Sequence, residues 1–198
     1  MAIAWDGSWI QSRRHTVEGA LERIERMLTA SYVSVRAVSR DTKAKATYVT
    51  HFGDAALANL ASVTNVIRIM QERVTAGNQT LTMSYVANAA GFTALGIGAL
   101  PAGVSIEKVE AFVIQKGVAP TTALTCYIAP AFFTGDVYIL NATNQRTGTG
   151  TILHELSHGV GNTGDHGYTW EAKYATLSAD LRAKNADCYR AYCQSFDM

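Results

Sequence analysis

The stretch that most constrains the fold is residues 151–161, TILHELSHGVG. Four apolar residues recur there at helical spacing: Ile152, Leu153, Leu156 and Val160. They predict a helix with one apolar face, which must be buried against other elements of a folded domain. Two glycines within three residues, Gly159 and Gly161, then end the helix.

The same helix carries a possible metal-binding pattern. His154 and His158 are four residues apart, so both ring nitrogens can reach one ion from one helix face. Glu155 leans toward the same side, close enough to reach a water on that ion. Zinc lowers the pKa of such a water to about 7, so a carboxylate can take its proton as the water attacks a carbonyl. The H-E-x-x-H pattern therefore predicts a catalytic zinc site.

Two histidines do not complete such a site, because catalytic zinc has three protein ligands and one open position. The chain can turn after the helix and return a later side chain to the metal. The candidates are Asp165, His166 and Glu171. The alternative is a non-catalytic module that binds zinc and a protein partner. Glu155 argues against it, since a structural site needs no base and closes with a fourth protein ligand.

The remaining composition fits one domain spanning residues 1–198, with a formal net charge of +1. No basic excess points to a nucleic-acid partner. No signal peptide is recognisable at the N-terminus. The apolar stretch 86–104 contains four glycines and a proline, which favours a loop or hairpin over a membrane span. Three cysteines, Cys126, Cys188 and Cys193, leave the disulfide state open.

The apolar patterns predict an α+β domain, with N-terminal helices, a small mixed sheet, the zinc helix and C-terminal helices. One early helix carries Val17, Leu21, Ile24 and Leu28. A second starts at Asp54 as N-cap, carries an apolar stripe as far as Val74 and is stopped by Gly77 and Asn78. Strands are predicted over 80–86, 109–115, 123–129 and 136–141, and later helices over 169–185 and 186–196. An extended substrate would add as a strand beside 123–129 or 136–141.

HELSH at 154–158, followed by NTGDHGY at 162–168, resembles the aspzincin metallopeptidases, the deuterolysin and peptidyl-Lys metalloendopeptidase family. The signature of that family is HExxH followed by GTxDxxYG, with the aspartate as third zinc ligand. Thr163, Asp165 and Tyr168 fall on the T, D and Y positions, whereas Asn162 and Thr169 replace the outer glycines. The segments YVTHFGD, VYILNATNQRTGTGTILHE and KNADCYRAY are also similar to family segments.

The resemblance implies a zincin-like single domain and a zinc-dependent metalloendopeptidase, which hydrolyses peptide bonds of protein substrates through a zinc-activated water. His154, His158 and Asp165 would bind one Zn²⁺. Glu155 would act as general base and then as acid toward the leaving amine. Tyr168 would donate to the oxyanion, or pack under the turn as an ordinary aromatic residue.

Three further residues receive expected roles. Thr163 would orient a ligand or cap the turn. Asp187 matches a family aspartate that helps to receive a lysine side chain in the lysine-specific members, and the accompanying family glutamate falls on Arg190. Because a cation there would oppose a lysine, lysine specificity is not carried over. Asp187 is alternatively the N-cap of the last helix.

The family is typically secreted, and its bacterial branch includes domains that resemble delivered toxins. The resemblance therefore implies a secreted or exported protein. A toxin-type effector domain would have a cognate inhibitor or immunity protein as partner. The alternative enzyme is a zinc hydrolase that acts on a cell-wall peptide. His15, His51 and His166 lack a spaced partner and are interpreted as ordinary surface or packed residues.

Overall fold

The computed structural model describes residues 3–54, 57–75, 80–100, 102–138 and 147–197. The helices in these ranges are α1 Gln11–Ala37, α2 Thr42–Phe52, α3 Leu57–Val74, α4 Ala89–Ala94, α5 Gly148–Gly161, α6 Ala172–Ala175, α7 Ala179–Arg182 and α8 Ala186–Gln194. The strands are β1 Ala4–Asp6, β2 Leu81–Tyr85, β3 Ala111–Val113 and β4 Leu124–Ile128. The predicted α+β class is confirmed, although β1 precedes the first helix in the chain and was not predicted.

The apolar stripes predicted for the early helices form the main core. Val17, Leu21, Ile24 and Leu28 of α1 are fully buried, as are Val63, Ile67, Met70 and Val74 of α3. α1 packs against α3, and both helices contact α5. Each such side chain contributes about 1.5–3 kcal/mol on burial, so the stripes fix the frame that surrounds α5.

The sheet is mixed, as expected, with strand order β1-β2-β4-β3. β1, β2 and β4 run parallel, and β3 runs antiparallel to β4. β4 therefore lies inside the sheet, and the prediction that 123–129 accepts a substrate strand is wrong. Residues 136–138 form no strand, and the rest of 136–141 lies outside the described residues. The edge strand next to α5 is β3.

α2 was not predicted from the sequence, although its ends carry clear signals. Asp41 accepts a hydrogen bond from the N–H of Ala44 at 2.6 Å, which caps the helix. Gly53 ends it at φ +86°, a conformation that glycine adopts readily. Aromatic contacts join α2 to α8: the rings of Phe52 and Tyr189 are 5.2 Å apart, with Tyr48 and Tyr192 beside them.

The long helix predicted over 169–185 is wrong, because two one-turn helices, α6 and α7, take its place. Ser178 interrupts the segment: its hydroxyl accepts the N–H of Leu181 and starts α7. The side chain of Arg182 donates to the carbonyls of Tyr174, Ala175 and Leu177. A continuous helix would have paired those carbonyls with backbone N–H groups.

The apolar stretch 86–104 contains α4 and turns. Val86, Phe92, Ile106 and Ala129 form a small separate cluster. Within the described ranges, no helix is both long enough and apolar enough to cross a membrane. Cys126, Cys188 and Cys193 are buried free thiols. The N-cap expected at Asp54 concerns residues 55–56, which lie outside the described ranges.

Candidate metal centre

Hydrogen bonds within the protein hold α5 in place at both ends. The hydroxyl of Thr147 accepts the Gly150 N–H at 2.9 Å, and the Gln194 side chain donates to the same hydroxyl at 3.0 Å. At the other end, the N–H groups of Gly117 and Val118 donate to the carbonyls of His158 and Gly159. These bonds satisfy backbone groups that a helix end leaves unpaired.

α5 and the loop after it bring three possible ligands together. Nε2 of His154 and Nε2 of His158 are 3.0 Å apart. Oδ1 of Asp165 lies 2.9 Å from the first nitrogen and 3.4 Å from the second. Among the described residues this is the one His/Cys/Asp/Glu group whose ligand atoms converge, all within 4.8 Å of one another. Both histidines are buried, and Asp165 is open to solvent on one side.

Hydrogen bonds orient His158 for metal binding. Its Nδ1 donates to the carbonyl of Thr163 at 2.8 Å, which leaves the Nε2 lone pair directed at His154 and Asp165. The Thr163 hydroxyl lies 3.1 Å from the same Nδ1 and 2.9 Å from the Ser157 hydroxyl. Thr163 is therefore placed where a ligand-orienting residue was expected. Two imidazoles and a carboxylate are a donor set that suits zinc.

The turn that returns the chain to the histidines depends on Asn162. This residue adopts φ +50°, the left-handed conformation that commonly ends helices. Asparagine is the non-glycine residue that tolerates it best, which explains why Asn162 can replace the family glycine. Beyond the turn, Gly164 pairs with the chain before α8: its N–H donates to Lys184 and its carbonyl accepts from Ala186.

Asn185, next to that pairing, was missed as a site residue in the sequence. It is fully buried, and its side-chain oxygen accepts the N–H of His166 at 3.0 Å. The signal was present, since Asn185 belongs to the KNADCYRAY segment, but the resemblance gave it no role. In the structure, Asn185 holds the loop that carries Asp165 through this hydrogen bond.

The other candidate third ligands point elsewhere. Glu171 accepts the N–H of Tyr168 at 2.8 Å and lies 3.3 Å from the ammonium of Lys173. His166 is exposed and is not part of the converging group. His15 lies on the exposed face of α1 beside Glu18, and His51 lies beside Ser195. Asp165 is thus the acidic residue that the fold brings to both histidines.

Glu155 lies beside the group and is held by the sheet. Its Oε2 accepts the N–H of Val113, in the edge strand β3, at 3.1 Å. Burial raises the pKa of Glu155, although positive charge on His154 or His158 and the Val113 bond act in the opposite direction. A raised pKa suits a carboxylate that takes and returns a proton near neutral pH.

The three possible ligands also influence one another's charge. Hydrogen bonds from His154 and His158 hold the pKa of the Asp165 carboxyl far below its usual range. Burial opposes protonation of His154, but the carboxylates of Asp165 and Asp187 outweigh it and raise its pKa to about 9. In the absence of a metal, the Asp165 carboxylate therefore stays ionised beside His154. A metal ion that binds there competes with the proton on His154.

Tyr168 covers the group from the loop side. Its ring is stacked on His154, with centroids 5.7 Å apart, and on Trp170, with centroids 4.8 Å apart. A cavity of about 220 Å³ adjoins this stack. Its walls are formed by Lys108, Val109, Glu110, Ala111, Thr151, His154, Glu155, Tyr168, Trp170, Asp187 and Arg190. A larger groove, of about 830 Å³ between α1 and α2, contains none of the predicted site residues.

Asp187 and Arg190 form a buried ion pair at one wall of this cavity. Nε and Nη2 of Arg190 donate to the two Asp187 oxygens at 2.6 and 2.9 Å. Asp187 also accepts the Thr169 N–H at 2.6 Å. The alternative that Asp187 is the N-cap of α8 is wrong, since Asn185 occupies that position and Asp187 lies in the first turn.

A helix with two converging histidines, a carboxylate from the following loop and an adjacent edge strand is the arrangement of a zinc peptidase. The sequence agrees: residues 37–194 match the aspzincin family, described as lysine-specific metallo-endopeptidase. The chain belongs to this family. It is a zinc-dependent peptide hydrolase whose His-His-Asp group fits one zinc ion.

A solved structure supports the same fold. The chain is similar to a zinc peptidase from Grifola frondosa, with a TM-score of 0.65 and 19% identity over 94% of this chain and 97% of that chain. At this identity the likeness shows the fold alone. No curated protein matches the sequence significantly.

Proposed function

We propose that this chain is an endopeptidase in which His154, His158 and Asp165 bind the zinc ion and Glu155 is the general base. The observation that carries the proposal is the position of Oδ1 of Asp165, at 2.9 and 3.4 Å from the two histidine Nε2 atoms. When bound, zinc supplies Lewis-acid polarisation of the carbonyl and lowers the pKa of water. Glu155 accepts the proton of the attacking water and returns it to the leaving amine.

The hydrogen bond from Val113 supports this role for Glu155. It occupies Oε2, so that this oxygen is held at the strand and Oε1 is the oxygen proposed to take the proton of the water. The bond also ties the base to the strand beside which a substrate would lie. A general base must first lie within hydrogen-bond reach of the proton that it removes, and its pKa matters only then.

The substrate backbone is proposed to pair with β3. The backbone carbonyl of Glu110 accepts the N–H of Ala129. The backbone groups of Glu110, and of Phe112 two residues later, therefore point toward β4, inside the sheet. Because hydrogen-bonding direction alternates along a strand, the backbone groups of Ala111 and Val113 face the open edge, where the Val113 N–H already donates to Glu155 and the Ala111 groups and the Val113 carbonyl lie toward a substrate. An extended peptide can add there as a further strand, with its scissile bond near Glu155.

Tyr168 is proposed to donate its phenol hydrogen to the oxyanion that develops at the scissile carbonyl. The proposal is supported by its ring, which is stacked on His154 and lines the cavity. Export from the producing cell and inhibition by a cognate protein remain predictions from the sequence resemblance.

Zinc content and casein cleavage, measured in parallel, test the proposal. Wild type and Glu155→Gln should each hold one zinc per chain, and only wild type should cleave casein. Asp165→Ala should lose zinc, whereas the exposed neighbour His166→Ala should keep zinc and activity. Zinc retained fully by Asp165→Ala would remove the third ligand from the proposal. Cleavage by Glu155→Gln at the wild-type rate would remove the base.

A further inference from the structure

We infer that the cavity beside the metal centre accepts an uncharged, preferably aromatic, side chain of the substrate and discriminates against lysine. This inference rests on the proposed function, because the cavity wall includes His154, Glu155 and Tyr168. The side chain that enters it would belong to a residue next to the scissile bond. The inference depends on the hydrogen bonds and ion pairs that the charged groups around the cavity already make within the protein.

The carboxylate of Asp187 is not available to a substrate cation. The Asp187 side chain is 1% exposed and the Arg190 side chain 6% exposed. Asp187 already accepts two hydrogen bonds from the Arg190 guanidinium and one from the Thr169 N–H. A lysine ammonium would have to displace a bidentate guanidinium, which binds carboxylate more strongly than an ammonium does.

Arg190 is equally unavailable to a substrate anion. Besides its two bonds to Asp187, it donates to Gln194 Oε1 at 2.7 Å and to Thr169 Oγ1 at 2.6 Å. Its guanidinium carbon also lies 5.5 Å from the ring centroid of Trp170. The ion pair therefore presents a wall in which the two charges cancel.

The other charged residues on the wall are Lys108, Glu110 and Glu155, and the Glu155 carboxylate accepts the Val113 N–H. Lys108 is exposed at the rim, and Glu110 is half-buried and accepts a hydrogen bond from the Thr151 hydroxyl. A charged side chain would therefore lose its hydration on entry, next to carboxylates and a guanidinium that are already hydrogen-bonded within the protein.

The aromatic wall favours the neutral occupant. Trp170 is 39% exposed, and its ring is nearly parallel to Tyr168, at an interplanar angle of 10°. The apolar side chains of Val109 and Ala111 also line the cavity. An apolar ring that stacks on Trp170 gains buried area and an aromatic contact together. The cavity volume of about 220 Å³ leaves room for such a ring.

The test uses zinc-loaded enzyme and quenched fluorescent peptides that differ only at the residues on either side of the scissile bond. At one of these positions, Phe or Leu should give a kcat/KM at least about tenfold above Lys or Glu. Trp170→Ala should lower kcat/KM about tenfold more for the Phe peptide than for the Ala peptide. Trp170→Phe should keep most of the preference.

A second pair of variants tests the ion pair directly. Arg190→Gln leaves the Asp187 carboxylate uncompensated and should raise the relative kcat/KM for the Lys peptide. Arg190→Gln combined with Asp187→Asn removes both charges and should not. A wild-type preference for Lys, or an equal loss on every peptide in Trp170→Ala, overturns the inference but leaves the peptidase intact. Failure of zinc-loaded wild type to cleave any peptide overturns the proposed function and this inference with it.

Discussion

The side-chain amide of Asn185 pairs with the backbone of Gly167 in both directions. Its Oδ1 accepts the Gly167 N–H at 3.3 Å, and its Nδ2 donates to the Gly167 carbonyl at 2.7 Å. On the other side of Asp165, the N–H of Gly164 donates to the Lys184 carbonyl at 2.8 Å. Asp165 therefore lies between two anchored points of one short loop, and its carboxylate is directed to the histidines by the protein itself.

Replacement of Asn185 by alanine should weaken zinc binding although no ligand is removed. Without the amide, the loop loses its bonds to His166 and Gly167, and Asp165 samples positions away from the histidines. We expect the zinc Kd to rise about 10–100-fold. Competition with a chelating dye measures it. Asn59→Ala, which removes an exposed amide bonded to Asp180, should leave the Kd unchanged; equal affinities for both variants would contradict the anchoring role.

Arg73 is expected to be a major source of stability. It is fully buried, and its guanidinium donates to the carbonyls of Thr80, Ala119 and Thr122 at 2.6–2.8 Å. Arg73→Met leaves these carbonyls without a donor and should lower the free energy of unfolding by about 2–4 kcal/mol. Urea denaturation measures the change.

Arg68→Met is the matched control for that experiment, because Arg68 lies on the same helix but its side chain is 35% exposed and paired with Glu72. Its loss should be below about 1 kcal/mol. Similar losses in the two variants would mean that the buried guanidinium contributes no more than a surface pair.

The close packing of α5 on β4 should make Gly159 intolerant of a side chain. A Cβ at that position would lie 2.5 Å from Cδ2 of Leu124 and 2.7 Å from Cδ1. Gly159→Ala should therefore lower the free energy of unfolding by about 1–3 kcal/mol, despite the better helix propensity of alanine. Gly135→Ala is the control, because no heavy atom lies within 4 Å of its added Cβ. A Tm unchanged in both variants would mean that α5 shifts at no cost.

His51 should make stability depend on pH between about 6.5 and 4. Burial, with Arg190 and Arg182 nearby, lowers its pKa in the folded protein from 6.5 to about 4. Between these values the unfolded chain holds a proton on His51 that the folded chain does not, so stability falls as the pH falls. Above pH 6.5 the residue is neutral in both states and contributes nothing to the slope. The full contribution is at most about 3 kcal/mol.

His51→Gln removes this titration and should flatten the pH dependence over the same window. Chemical denaturation at half-unit intervals of pH measures both proteins. Parallel curves for wild type and His51→Gln would show that His51 titrates alike in the folded and unfolded chain.

The sequence predicted those elements whose signal is local and periodic. The stripes of α1, α3 and α5 have a helical period, so both their existence and their buried faces follow from the residues. The two histidines follow equally, since i and i+4 share a helix face. Their convergence with Asp165 depended on the family pattern, because no local rule distinguishes Asp165 from Glu171.

Other features depend on contacts that are distant in the chain. The helix predicted over 169–185 is divided because the Arg182 side chain donates to carbonyls that backbone N–H groups would bond in a continuous helix. Helix propensity does not predict such a side-chain bond. The edge position of β3 is a property of strand order, which the alternation of apolar residues leaves open. Asn185 acts on a loop about twenty residues earlier, so its importance became visible only in three dimensions.

The anchoring of the Asp165 loop separates folding from metal loading. Because the loop is held by bonds within the chain, the conformational entropy of the third ligand is lost during folding rather than when an ion arrives. We expect the metal-free protein to be fully folded, so that chelation and restoration of zinc are reversible without denaturation. Where zinc is scarce, such a protein would be folded but inactive, and added zinc would restore its activity.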